Sequence, residues 1–162
     1  MAFSERNSWR APEQDALLDE VSLQIIKELQ ADGRRPYTAI AKAVGLSEAA
    51  VRQRVQRLLD AGIMQIVAVT DPLRVGLYRQ AMVGIRVDGD VREVARELAA
   101  SDEIEYVVIC SGAYDVLVEL TARDDEHLLE AINGHIRSIP GIRTIETFVY
   151  LRLEKQTYTW GT

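Results

Sequence analysis

The sequence is short of the residues that mark several common protein classes. Its 162 residues include one cysteine, Cys110, so an intrachain disulfide and a cysteine-based metal cluster are both excluded. No apolar run is long enough to span a bilayer, and residues 1–14 lack the apolar core of a signal peptide. We therefore expect a cytoplasmic protein with a flexible N-terminal tail and no membrane partner.

Residues that carry catalysis are also scarce. The two histidines, His127 and His135, are eight residues apart with no cysteine nearby, so we expect no metal site. His135 falls beside an apolar stripe, which favours a partly buried structural role. Cys110 lies among apolar residues of a predicted strand and is interpreted as a small core residue. With no nucleophile-elbow motif and no glycine-rich phosphate loop, we expect neither an enzyme nor a cofactor.

Positive charge is in deficit overall, but it is distributed unevenly. The net charge is −6. Through Gly76 there are 10 Lys or Arg against 10 Asp or Glu, and from Leu77 onward there are 9 against 15. Between Arg34 and Arg57, six cations occur with one anion. The basic patch is therefore confined to one short segment of the first half.

The first half has the apolar periodicity of short helices, and we predict three of them, at residues 22–31, 36–44 and 48–61. Ser22 and Ser47 are predicted to cap the first and third helices, and Gly45 suits a tight turn between the second and third. The predicted apolar side of the first helix comprises Leu23, Ile25, Ile26 and Leu29. Two helices joined by such a turn form a helix-turn-helix.

The third helix has small residues near its start, one amide and several guanidinium groups. At 100° per residue, Ala49, Ala50, Gln53 and Arg57 point away from the apolar stripe. A DNA major groove needs such a face, so we expect Gln53 and Arg57 near base edges and Ser47, Ala49 and Ala50 near the groove floor. The cations expected at phosphates are Arg34, Arg35, Lys42, Arg52 and Arg54. The alternative is a solvated, arginine-rich surface helix.

The second half alternates strands and helices in the order βαββαβ, which is typical of a ferredoxin-like unit. An apolar run at residues 63–69, interpreted as a wing or linking strand, precedes it. Strands are predicted at residues 81–87, 104–111, 114–121 and 142–153, and one helix at 91–99. A second helix is marked by apolar residues from Leu128 to Ile139, and the acidic cluster at residues 124–126 sits where that helix should begin. Gly112-Ala113 is expected to form a two-residue hairpin loop of type II′.

Both faces of the predicted sheet carry apolar residues. Val83 and Ile85 alternate with Met82, and Val116 opposes Leu117. Two helices cover only one face, and an uncovered apolar face usually marks an interface. We therefore expect a homodimer or a larger assembly through the second domain. Its two recognition helices would contact the half-sites of a near-palindromic double-stranded DNA.

Short motifs occur in a fixed order over about residues 18–158. They include Leu18-Asp19, Asp32-Gly33-Arg34, Val44-Gly45-Leu46-Ser47, Gly62-Ile63, Asp71-Pro72, Ser111-Gly112, Tyr114-Asp115 and Pro140-Gly141-Ile142. In these motifs the sequence resembles the Lrp/AsnC family of transcriptional regulators. The resemblance implies a DNA-binding domain, an effector domain, dimers that assemble further, often to octamers, and an amino acid or related small molecule as effector.

Together these observations predict an α+β protein with an N-terminal winged helix-turn-helix and a C-terminal βαββαβ ferredoxin-like effector domain. The expected organisation is a tail at residues 1–14, the helix-turn-helix domain at 15–63, a linking strand at 64–77, the effector domain at 78–154 and a tail at 155–162.

The resemblance also implies that the glycine turn of the second half belongs to the effector site. Its residues are Ser111, Gly112, Ala113, Tyr114 and Asp115, with Ile145 and Thr147 of the last strand added. Asp115 is expected to hold the ammonium of an effector while the N–H groups of the turn bind its carboxylate. The alternative is an aspartate that satisfies its own hairpin. Ile145 stands where the family often has threonine, which favours a less polar effector.

Three classes of function remain after these exclusions. The leading one is a sequence-specific transcriptional regulator that responds to an amino acid or related small molecule. The second is a ligand-sensing oligomeric module that acts through a protein partner rather than DNA, and the confined basic patch argues against it. The third is a small enzyme on a ferredoxin-like fold, against which the missing catalytic constellation argues.

Overall fold

The computed structural model describes residues 17–158, which form two compact units with separate apolar cores. Residues 17–68 and 156–158 belong to the first unit and residues 69–155 to the second. The tail predicted at residues 1–14 lies outside the described residues, as do the last four residues of the predicted C-terminal tail. Within residues 17–158, no helix has the length and apolar character needed to cross a membrane.

The first unit contains the three predicted helices, α1 (Glu20–Ala31), α2 (Tyr37–Val44) and α3 (Glu48–Asp60). Their apolar stripes meet in a core whose most buried members are Ile25, Ile40, Val51 and Val55. Gly45 ends α2 with a φ of 71°, a conformation that glycine adopts at low cost. Ser47 then caps α3, since its Oγ accepts from the Ala50 N–H at 3.2 Å. The predicted helix-turn-helix is therefore confirmed.

The start of α1 differs from the prediction. Asp19, not Ser22, is the N-cap, because its Oδ1 accepts from the Ser22 N–H at 2.8 Å. A carboxylate is also favoured at the positive end of the helix dipole. Ser22 is instead a buried polar residue, 2% exposed. Leu23, predicted on the apolar side, is 38% exposed because it lies about 200° around the helix from Ile25.

The segment between α3 and the second unit forms no strand in the described chain. Residues 63–69, predicted as a wing or linking strand, pair with no other strand of the described residues, and a strand without a partner is not stable. Ile66, Val67 and Val69 remain exposed. A short 3₁₀ turn, Pro72–Val75, follows them.

The second unit is a four-stranded antiparallel sheet in the order β2-β3-β1-β4. Its helices and strands are β1 (Arg79–Val87), α4 (Val91–Ala99), β2 (Ile104–Ile109), β3 (Val116–Ala122), α5 (Asp125–Glu130) and β4 (Ile142–Val149). A π-helical segment, Ala131–Ile136, continues α5. The predicted βαββαβ order, the ferredoxin-like topology and the α+β class are confirmed.

The sheet has one covered and one uncovered face. Val83 of β1 pairs with Val118 of β3 and Thr147 of β4, which sets the faces of all three strands. On the covered face, the alternate residues from Ala81 to Ile85 and from Val116 to Ala122 are fully buried in a core shared with α4 and α5. On the other face, Tyr106 is 51% and Phe148 45% exposed. Both faces therefore carry apolar residues, as predicted.

The loop after β2 is longer than predicted. β2 ends at Ile109, which pairs with Val116, and the Cys110 N–H donates to the Asp115 carbonyl at 2.9 Å. Residues 111–114 therefore form a four-residue loop, and the predicted two-residue hairpin is wrong. Cys110 is half-buried at the base of this loop, where its thiol donates to the Tyr114 carbonyl at 3.2 Å. It is not the mid-strand core residue that the sequence indicated.

Two boundaries near the C-terminal end also differ. The last helix begins at Asp125, within the predicted acidic cluster, and Asp124 caps it by accepting from the His127 N–H at 2.8 Å, but its π-helical continuation ends at Ile136 rather than at Ile139. β4 ends at Val149, which pairs with Ala81 near the start of β1, so the chain beyond it has little of β1 left to pair with. Apolar periodicity continues past both ends of these elements and therefore placed them too far along the chain.

Candidate functional site

The outer surface of α3 consists of small and polar side chains held above an apolar stripe. Val51, Val55 and Leu58 are at most 1% exposed and anchor the helix, whereas Gln53 and Arg57 are exposed. Ala49 is also exposed, and Ala50 is half-buried. This surface follows the tight turn of the helix-turn-helix and presents one amide and one guanidinium beside small residues, as base-edge contacts in a major groove require.

The cations expected at phosphates differ in what they already contact. Arg35 forms an ion pair with Glu28 at 2.8 Å. Arg52 pairs with Glu48 at 2.6 Å, and its guanidinium carbon lies 5.2 Å from the centroid of the Tyr37 ring. Exposed pairs of this kind contribute roughly 0–1 kcal/mol, so a phosphate can replace them. Of the six cations between Arg34 and Arg57, three form no ion pair with a described residue: Arg34, Lys42 and Arg57.

Arg54 is the exception on α3, because its guanidinium is turned toward α1. Its Nη1 donates to both carboxylate oxygens of Asp19, at 2.9 and 2.7 Å, and to the Ser22 Oγ at 3.0 Å. The Ser22 N–H and the Arg54 guanidinium lower the pKa of Asp19 from its ordinary 3.8 to about 2. Arg54 thus has three acceptors within its own unit, whereas the other cations of α3 do not contact α1.

The loop after β2 combines exposed backbone with an anchored aspartate. Ser111, Gly112 and Ala113 are exposed, and their N–H groups bond to no other residue within the described chain. Asp115 donates its N–H to the Ile85 carbonyl at 2.9 Å, and its Oδ2 accepts from the Val87 N–H at 2.9 Å. The hydrogen bond from the Val87 N–H is the kind expected if Asp115 satisfies backbone groups of its own sheet, which is the alternative role for this residue.

Tyr114 lies across the uncovered face of the sheet. Its ring fills the space above Gly84, where an added Cβ would come within 2.8 Å of three ring atoms. Its hydroxyl donates to Glu146, and its ring meets Phe148 edge-on with centroids 6.2 Å apart. The hydrogen bond to Glu146, followed by partial burial, raises the pKa of Tyr114. Arg86 completes the cluster, with its guanidinium carbon 6.0 Å from the ring centroid.

Ile145 and Thr147 lie on the opposite face of the sheet from Tyr114. They pair in register with Ile85 and Val83, whose side chains are buried on the covered face. The residue of β4 that contacts the loop is Glu146. The alternation of residues along β4 predicted which side chains share a face. It does not indicate over which of the two faces the 111–115 loop folds.

A carboxylate joins the two histidines of the second unit. Glu103 contacts His127 Nε2 at 3.2 Å and His135 Nδ1 at 2.6 Å. The Arg123 N–H donates to Nδ1 of His127, so Nε2 carries the proton that bonds Glu103. The hydrogen bond from His127, and then that from His135, lowers the pKa of Glu103.

His135, predicted to be a partly buried structural residue, has a side chain that is 51% exposed. The π-helical segment, with its wider turn, carries His135 toward Glu103 rather than into the core. Among residues 17–158, no group of three or more histidine, cysteine, aspartate or glutamate side chains is arranged to hold a metal ion.

Comparison with known families gives two matches that together span most of the chain. Residues 18–59 match the AsnC-type helix-turn-helix domain. Residues 77–162 match the C-terminal dimeric alpha+beta barrel domain of AsnC-type regulators. The two matches cover the unit that contains α3 and the unit that contains the 111–115 loop.

The matches to individual relatives cover most of this chain and nearly the whole length of each relative. The chain is 34% identical over 147 residues to the uncharacterized HTH-type transcriptional regulator PF1231 of Pyrococcus furiosus, covering 90% of this chain and 97% of the relative. It is also 34% identical to the HTH-type transcriptional regulator FL11 of Pyrococcus horikoshii, over 86% and 93% of the two chains. The Neisseria meningitidis transcriptional regulator NMB0573, solved as a complex with L-Met, matches with a TM-score of 0.78 and 26% identity, over 86% and 94% of the chains.

Proposed function

Because this chain belongs to the Lrp/AsnC family of helix-turn-helix transcriptional regulators, we propose that it binds a near-palindromic double-stranded DNA operator through the outer surface of α3. The observation that carries the proposal is the exposed pair Gln53 and Arg57 beside Ala49, on a helix whose other side is buried. Regulators of this kind act by binding rather than by catalysis, which agrees with the names of the relatives.

The proposed contacts divide into two groups. Gln53 and Arg57 approach base edges, while Ser47, Ala49 and Ala50 allow the backbone to come close to the groove floor. The residues proposed at phosphates are Arg34, Arg35, Lys42 and Arg52. Because Arg52 must first leave Glu48, its contribution to affinity is expected to be smaller than that of an unpaired cation.

A second copy of the chain is the proposed partner of the uncovered sheet face. Tyr106 and Phe148 expose large apolar side chains there, and the matched domain family is described as dimeric. A dimer carries two α3 helices and so fits two half-sites. Further assembly of dimers, to a tetramer of dimers, remains part of the proposal.

The proposed effector is an amino acid or a related small molecule bound at the 111–115 loop. The exposed N–H groups of Ser111, Gly112 and Ala113 suit a carboxylate, and the Oδ1 of Asp115 has no partner among the described residues. The relative from Neisseria meningitidis, whose structure is a complex with L-Met, supports an amino acid as the ligand class. Ile145 and Thr147 are not part of this proposed site.

The proposed contact of Gln53 with a base edge is tested by replacing each of two glutamines of α3 with alanine. An operator is first selected from random-sequence DNA, and single base changes in it are then measured against Gln53→Ala. We expect this variant to lose about 1–3 kcal/mol of discrimination at one base position. Gln56→Ala is the matched control, because the Gln56 amide on the same helix donates to Asp60 at 2.8 Å. Equal base preferences in wild type and Gln53→Ala would contradict the assignment.

A further inference from the structure

The contact between Arg54 and Asp19 joins the helix that carries the proposed DNA surface to the start of α1. Both oxygens of the Asp19 carboxylate accept from Nη1 of Arg54, at 2.9 and 2.7 Å, although the residues are 35 positions apart. The same carboxylate caps α1 through the Ser22 N–H. One side chain therefore fixes the first turn of α1 and a mid-helix position of α3 together.

Ser22 makes this contact harder to exchange than a surface ion pair. It is 2% exposed, and its Oγ accepts from Arg54 at 3.0 Å. If the guanidinium turned outward to a phosphate, it would leave a buried hydroxyl without this partner, and buried polar groups are costly to leave unpaired. Arg52 differs, because its partner Glu48 lies on the same exposed helix surface.

The position of Arg54 around α3 also separates it from the outer surface. At 100° per residue it lies about 60° from Val51, on the edge of the buried stripe, and about 100° from Gln53. Its side chain is 33% exposed, against 65% for Arg52. Arg54 therefore lies on the side of α3 that packs within the unit.

We propose that Arg54 is a positioning residue that sets the orientation of α3 against α1 through Asp19 and Ser22, and that it makes no contact with DNA phosphate. The proposal rests on the proposed function, since it concerns how α3 meets DNA. A helix that must place Gln53 and Arg57 at base edges together loses several contacts when its orientation shifts. The lowered pKa of Asp19 means that its carboxylate is charged throughout the pH range of DNA-binding measurements.

The test compares two arginines on one helix by the salt dependence of DNA binding. Each phosphate contact adds about 0.9 to the slope of log affinity against log salt. Arg52→Gln, the matched control, is expected to reduce that slope by about one because Arg52 is the cation of the same helix that is proposed at phosphate. Arg54→Gln is expected to weaken binding roughly tenfold with an unchanged slope, because α3 loses the contacts to Asp19 and Ser22 that set its orientation.

The variant Asp19→Asn distinguishes the two roles of Arg54 by the direction in which DNA affinity changes. Asparagine caps a helix as well as aspartate does, so α1 keeps its cap while Arg54 loses its anionic partner. The positioning role predicts weaker DNA binding with an unchanged slope, and no further loss when Asp19→Asn is combined with Arg54→Gln. Each variant is shown to be folded by a helical circular dichroism spectrum and by a melting temperature well above the temperature of the binding assay.

The outcomes separate this inference from the proposed function. Tighter binding or a steeper slope in Asp19→Asn would mean that the released Arg54 reaches phosphate, and it would overturn the inference while leaving the function intact. A slope reduced by about one in Arg54→Gln would do the same. If wild type binds its selected operator no better than random DNA, the proposed function fails and the inference fails with it.

Discussion

The outer surface of α3 and the loop after β2 are both polar, yet they differ in what their side chains already contact. Gln53 and Arg57 extend from a helix whose opposite side is buried, and they are exposed. In the loop, Asp115 bonds to Val87 of the sheet and Tyr114 bonds to Glu146. The side chains of the proposed DNA surface are therefore free to bind, whereas the loop offers mainly backbone N–H groups to the proposed effector.

This difference suggests how the two surfaces serve regulation. A surface that is formed in advance loses little freedom on binding, which suits DNA recognition. The side chain of Asp115 bonds to Val87 of β1, so a ligand that binds Asp115 would weaken or strengthen that bond. Ligand binding at the loop can therefore change the contacts of the sheet. Three further substitutions, at Ile25, Asp115 and Glu103, test this difference between the two surfaces.

The largest effect is expected from the core beneath α3. Ile25 is fully buried, so Ile25→Ala should lower the free energy of unfolding of the first unit by about 2–5 kcal/mol and abolish DNA binding. Leu23→Ala on the same helix is the control, since Leu23 is 38% exposed and should cost far less. Urea denaturation followed by circular dichroism measures both. Similar losses in the two variants would show that α3 is not held by this core.

An intermediate effect is expected at the anchored aspartate. Asp115→Ala leaves the Val87 N–H without its acceptor and should lower the free energy of unfolding by about 1–3 kcal/mol. Asp115→Asn keeps an oxygen for Val87 but removes the charge, so its stability should stay near wild type. We expect it to lose the rise in melting temperature that wild type shows with one member of a panel of the twenty amino acids. Retention of that rise in Asp115→Asn would exclude an ammonium contact.

The smallest effect is expected at Glu103, away from both surfaces. Its pKa lies below the ordinary 4.5, chiefly because His127 donates to it, so its contribution to stability is full above pH 4.5 and disappears as pH falls through the lowered value. Glu103→Gln should therefore cost under about 1 kcal/mol at pH 7 and less at about pH 3. Urea denaturation at the two pH values measures the difference, with Glu105→Gln, exposed on β2, as the control. A loss that does not depend on pH would show that the carboxylate charge is not involved.

The elements of the fold were predictable because periodicity reports which residues are buried. Val83 and Met82 alternate along β1, and the pairing with β3 and β4 puts them on opposite faces as the pattern indicated. Val51, Val55 and Leu58 likewise predicted the buried side of α3 and, by exclusion, its outer surface. Burial patterns of this kind are local in sequence and need no knowledge of the rest of the chain.

The contacts that distinguish individual side chains were not predictable in this way. Arg54 and Asp19 are 35 residues apart, and Tyr114 and Glu146 are 32 apart, so neither pair leaves a periodic signal. The cap of α1 illustrates the same limit. Aspartate and serine are both good N-caps, and three-dimensional packing selects Asp19 by burying Ser22 beneath Arg54.

The central claim is that the outer surface of α3 binds a specific DNA sequence. Fluorescence anisotropy of the wild-type protein on its selected operator, and on a shuffled duplex of the same composition, tests this most directly when both are titrated across salt concentrations. We predict at least roughly 10³-fold tighter binding to the operator, with affinity for both duplexes falling steeply as salt rises. Equal affinity for the two duplexes at every salt concentration would contradict the account.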